Sequence, residues 1–131
     1  MKKILVVALL MHLSVIANAM DYMSGDDIKK QFNDRTFDGH FIPKDKKFRV
    51  FSSADGNLIV KRPNGQDPKR SWFVNDKGQR CVTHPKWKSH KKWNNGRCAN
   101  VVDAGNGEIL MYDFNGKHTH TFTNFREGNQ L

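Results

Sequence analysis

Residues 84–97 read His84-Pro85-Lys86-Trp87-Lys88-Ser89-His90-Lys91-Lys92-Trp93-Asn94-Asn95-Gly96-Arg97, which puts four lysines, an arginine, two histidines and two tryptophans in one short stretch. Cations neutralise phosphate, sulfate or sugar acids, and a flat indole stacks on a base or sugar face. Lys86, Lys88, Lys91, Lys92 and Arg97 are therefore candidate contacts for a polyanion, with Trp87 or Trp93 as the stacking platform. The same composition fits a solvated hairpin whose tryptophans fold inward beneath a lysine fringe, since charge runs are usually solvated faces. At least one of the two indoles is expected to be buried.

A second constellation is His118-Thr119-His120. Strand alternation predicts that His118 and His120 share a face. Two imidazoles at that spacing can begin a copper or zinc site. A third ligand would have to come from His40, His84, His90 or a carboxylate. Phe122 falls on the same face, so the pair can equally border the core.

The only two cysteines, Cys81 and Cys98, read as a disulfide if the chain is exported. The bond would close a loop of 18 residues, worth about 3 kcal/mol on the chain-entropy model. A zinc site is the weaker reading, because the pair lacks the close CxxC spacing. There is no Gly-x-Ser-x-Gly elbow and no phosphate-cradling glycine loop, so the residues point to no cofactor and to no recognised catalytic motif. Asp103, Glu108 and Asp113 lie near turns, where carboxylates more often shape loops than transfer protons.

Export is expected from the N-terminus. Lys2 and Lys3 precede an apolar run from Ile4 to Ile16, and Ala17-Asn18-Ala19 is a small-x-small cleavage pattern. The run falls short of the roughly 20 apolar residues a spanning helix needs. Residues 1–19 are read as a signal peptide and 20–131 as one domain, periplasmic or secreted, with no membrane anchor after cleavage. The full chain carries a formal charge of +9, and without Lys2 and Lys3 about +7. That sign favours anionic partners and also keeps a protein soluble. Every aromatic residue lies beyond residue 19, so the core must lean on Phe and Trp.

The elements that would position these residues follow from period and punctuation. Ser24 with Asp27 three residues on resembles a capping box, and Ile28 and Phe32 are four apart, which predicts a helix from Gly25 to about Asn33. Beyond it the period is two, with turn signals every 8 to 15 residues. Candidate strands are 35–42, 47–52, 58–61, 70–74, 79–83, 97–103, 108–114 and 117–125, and the last six residues are read as frayed. About eight antiparallel strands must close or stack to hide their edges. The expected fold is mainly β, a small antiparallel up-and-down barrel or curved sheet with one N-terminal helix. A two-sheet sandwich is the second choice. Ile28 and Phe32 should be buried together, with Phe48, Trp72 and Tyr112 in the core.

Met23-Ser24-Gly25-Asp26-Asp27-Ile28, Thr36-Phe37-Asp38-Gly39, and Phe48-Arg49-Val50-Phe51 with Asp55-Gly56 form a recognisable order. They are followed by Trp72, by Gly78 to Cys81, by Cys98, and by Tyr112-Asp113-Phe114-Asn115-Gly116-Lys117. The pattern resembles a group of small secreted Gram-negative proteins of unknown function. The resemblance implies a lipocalin-like β-barrel in the bacterial envelope and brings no catalytic residues. The basic, tryptophan-rich stretch between the cysteines departs from that group's pattern.

Three functional readings follow. The first is a non-enzymatic envelope binding module, holding either an apolar ligand inside the barrel or an anion on the 84–97 hairpin. The second is an enzyme on an acidic envelope substrate, using His84, His90, His118 or His120 beside a carboxylate. The third is a structural or stress-related interaction protein.

Overall fold

The computed structural model describes residues 21–131; the segment read as a signal peptide lies outside them. One helix, α1 (Gly25–Phe32), precedes strands β1 (Arg35–Phe41), β2 (Lys46–Ser52), β3 (Asn57–Arg62), β4 (Gly65–Gln66), β5 (Arg70–Val74), β6 (Arg80–Thr83), β7 (Arg97–Gly105), β8 (Glu108–Tyr112) and β9 (His118–Glu127). The Ser24 hydroxyl accepts from the Asp27 amide at 3.2 Å, and Asp26 and Asp27 sit in the first turn, where the helix dipole favours negative charge.

Eight antiparallel strands close into a barrel, in the ring order β1-β2-β3-β5-β6-β7-β8-β9 and back to β1. The two-residue β4 is an added hairpin arm on β3. Closure leaves no long edge strand to protect, which is why the barrel wins over an open sandwich. The seam between β3 and β5 is the shortest, with Asn57↔Ser71 and Leu58↔Arg70 as its only partners.

Helix α1 plugs one end. Ile28 and Phe32 are fully buried. The Phe32 ring meets Phe37 at 5.2 Å, Phe125 at 5.6 Å and Phe122 at 5.8 Å, each edge to face. Trp72 completes this end, donating its Nε1–H to the Ser53 carbonyl at 2.8 Å, so the buried indole leaves no polar group unpaired.

Three expectations change. Tyr112 pairs with His118 and is only partly buried, outside the core cluster. Phe48 is also partly buried, packed against the core from one side. The chain end is tied down: Thr36 Oγ1 donates to the Gly128 carbonyl at 2.7 Å and accepts from the Gln130 amide at 2.8 Å.

Candidate functional site

The barrel interior is filled by rings at the α1 end and open at the other. Apolar inward residues along the strands are Val50, Leu58, Val60, Val82, Ala99 and Met111. They surround a cavity of about 660 Å³. Phe48, on the cavity wall, lies directly opposite Gly39 across β1–β2. A methyl group at Gly39 would come within 2.4 Å of the Phe48 ring. With only hydrogen there, the ring can pack over the β1 backbone.

Two ionisable groups face the cavity from below and from the side. Arg80, 3% exposed, lies on the floor. Its guanidinium sits 4.6 Å from the centre of the Phe32 ring and 5.4 Å from that of Phe122. Its Nη1 reaches Met111 Sδ at 3.6 Å, its Nε has no partner, and it makes no ion pair among the described residues. Burial pulls its pKa down to about 9. His120 lies between Phe41 and Phe122, with ring centres at 5.0 and 5.7 Å. Its Nδ1 is 2.9 Å from the Thr119 hydroxyl. Burial first, then the charges of Arg80, Arg97, His118 and Arg70, push its pKa down to about 3. The imidazole is therefore neutral at physiological pH.

Around the opening stand Lys44, Lys46, Lys47, Arg62 and Arg97. Where β3 and β5 part, Asp67 bridges them, accepting from Arg62 at 2.9 and 3.0 Å and from Arg70 at 2.7 Å. The Arg62 hydrogen bonds, ahead of Arg70, hold the Asp67 carboxyl below the usual carboxylate range. Among the described residues, Asp113 is the only carboxylate on the cavity lining. Its Oδ1 accepts from the amides of Asn115 and Lys117, which shapes the β8–β9 turn. The lining thus carries a clear excess of positive charge.

The sequence-predicted residues divide between this cavity and the surface. Cys81 and Cys98 are direct cross-strand partners on β6 and β7 and form a disulfide, with Cα atoms 4.0 Å apart. The loop they close folds over the opening. Its Trp87 and Arg97 line the cavity, while Lys86, Lys88, Lys91 and Lys92 are exposed and line none of it. Trp87 and Trp93 are half-buried, 5.7 Å apart, so neither enters the core. Their faces already have partners: His90 stacks on Trp93 at 4.3 Å, and the Arg97 guanidinium lies 4.4 Å from Trp93 and 5.7 Å from Trp87. His84 and His90 serve the loop itself, accepting backbone amides of Lys86, Lys92 and Trp93.

The expected common face of His118 and His120 is broken by a bulge. His120 pairs with Met111 and His118 with Tyr112, leaving Thr119 as the extra residue. Met111 points inward and Tyr112 outward, and directly opposed residues share a side, so the two imidazoles lie on opposite faces of the wall. His118 Nε2 bonds instead to the His120 carbonyl and the Thr121 hydroxyl, at 2.9 and 3.0 Å. No group of three or more His, Cys, Asp or Glu side chains placed to hold a metal occurs among the described residues.

Arg80 escaped the sequence reading. The signal for it was the period of β6, since Arg80 is two residues before the inward Val82. A second concavity, about 670 Å³, lies on the outer face of β1, β2 and β3. Asp38 on this face pairs with Arg49 and Arg126 at 3.4 and 3.6 Å and accepts from Asn124 Nδ2 at 3.1 Å. It offers no unmatched group comparable to Arg80. No protein family, curated protein or solved structure matches this chain.

Proposed function

We propose that this protein is an exported, non-enzymatic binding module that takes a small molecule with an apolar body into the open end of its barrel. One observation carries the reading: a cavity of about 660 Å³ with Val50, Leu58, Val60, Val82, Ala99 and Met111 on its inner walls, stopped at one end by α1 and open at the other. Eight strands give a barrel wide enough either to be filled by side chains or to hold one small ligand. Cavities of about 300–1,000 Å³ with few polar groups are the usual size for such ligands. The cations around the opening favour an amphipathic, anionic guest by focusing field lines at the entrance. The Cys81–Cys98 disulfide supports an oxidising compartment, as does the resemblance to small secreted envelope proteins.

The test is uptake of 11-(dansylamino)undecanoic acid, followed by its emission. Saturable binding of one molecule per chain, displaced by dodecanoate, is expected. Ala99→Phe, which fills the cavity from the β7 wall, should abolish uptake while the far-ultraviolet circular dichroism remains that of the parent. Absence of saturable uptake by the parent protein would refute the reading.

A further inference from the structure

We infer that the ligand enters acid-first, its single carboxylate pairing with Arg80 on the barrel floor and its apolar chain filling the cavity above. This rests on the cavity being the binding site, and it names the ligand class: monocarboxylates of fatty-acid type.

The argument begins with what Arg80 lacks. A guanidinium is always charged under physiological conditions, and burying it without a counter-ion is costly unless something compensates. At 3% exposure, Arg80 has a sulfur contact, four aromatic rings within 6.0 Å and an unpartnered Nε. The rings soften the burial through their negative faces. No nitrogen, oxygen or sulfur accepts the Nε–H. The residue lines the cavity and has no ion-pair partner among the described residues, so a carboxylate arriving from above finds a guanidinium without a counter-ion. Guanidinium and carboxylate match as two parallel N–H···O bonds, the geometry that makes arginine the preferred partner for planar acids.

The opening is a poorer place for the acid group. Lys44, Lys46, Lys47 and Arg97 are exposed, so water and salt screen them. Arg62 and Arg70 already share Asp67. A ligand that left its carboxylate there would gain little and would leave Arg80 unpaired beneath an apolar chain. His120, neutral and flanked by Phe41 and Phe122, offers no competing charge. The cations around the opening then draw the acid in, and Arg80 receives it.

The experiment compares dodecanoate with dodecanol, equal in chain and different in charge, by calorimetric titration of the parent protein and of Arg80→Met. The parent should bind dodecanoate at least about tenfold tighter than dodecanol. Arg80→Met should lose that preference by weakening the acid while still binding the alcohol. Lys44→Gln/Lys46→Gln/Lys47→Gln should keep it. Should Arg80→Met fail to fold, the Arg80 Nε–H resonance of ¹⁵N-labelled parent protein decides: it should shift with dodecanoate and not with dodecanol. If acid and alcohol bind equally, or if the preference survives in Arg80→Met and vanishes in the lysine variant, the carboxylate stays at the opening. In that case the inference falls while the cavity reading stands. If neither compound binds, both fall together.

Discussion

At the α1 end of the barrel, Phe32, Phe37 and Phe122 meet at 5.0 to 5.8 Å and are buried. At the other end, Trp87 and Trp93 meet at a similar 5.7 Å and remain half-buried, in contact with Arg97 and His90. The separations are alike and the surroundings differ. Around Phe32 the neighbours are the rings of Phe37, Trp72, Phe122 and Phe125 and the buried guanidinium of Arg80, shut away from water. Around Trp87 the neighbours are cations, and one side borders the cavity. One aromatic cluster closes a barrel and the other lines an entrance. Arg80 stands between them, packed on the rings of the closed end and facing the space of the open one.

The largest effect should come from breaking the closed end. Phe32→Ala removes the ring that touches four other aromatics, and a loss of about 3–5 kcal/mol in urea unfolding is expected. Trp93→Ala at the open end should cost clearly less; equal losses would mean that the two ends are not different in kind.

His120 comes next. It is a base whose folded pKa is depressed to about 3 from 6.5, so between those values the unfolded chain binds the proton more strongly. Its contribution to stability is complete above pH 6.5 and is lost as pH falls toward 3, by up to about 5 kcal/mol. The groups set against the imidazolium are Arg80, Arg97, His118 and Arg70. Urea midpoints measured from pH 7 to 3.5 should fall more steeply for the parent than for His120→Gln; parallel profiles would show that the imidazole is not sheltered.

Replacing Cys81 and Cys98 together by serine should cost about 3 kcal/mol. The change should fall on the open end, raising amide exchange through residues 84–96 while the amides of α1 stay protected. Uniform loosening would contradict the division between the ends.

The smallest effect on stability belongs to the lysine fringe. Lys86→Gln/Lys88→Gln/Lys91→Gln/Lys92→Gln changes exposed side chains only and should move stability by less than about 0.5 kcal/mol. It should leave uptake of the dansyl acid intact and weaken adsorption to heparin, with a shallower dependence on salt. Loss of dansyl-acid uptake in this variant would move the binding site from the cavity to the hairpin.

Much of the frame was legible along the chain, because local chemistry wrote it. Ser24, Ile28 and Phe32 specify a capped, one-sided helix by their spacing alone. Alternating apolar residues and turn signals such as Asn75-Asp76-Lys77-Gly78 mark the strands, and the two cysteines face each other because a hairpin loop joins their strands. What tertiary structure decided was the inside. Whether Arg80 meets solvent or four aromatic rings depends on β2 pairing with β3 to close the wall. The separation of His118 from His120 depends on one unpaired residue, Thr119, and a bulge reverses the alternation that a linear reading assumes. The polar C-terminal residues look free in sequence and are held by Thr36, 94 positions before Gln130. Helix faces and turns are set by neighbours three or four residues apart, whereas a cavity exists only once side chains from distant strands surround the same empty space.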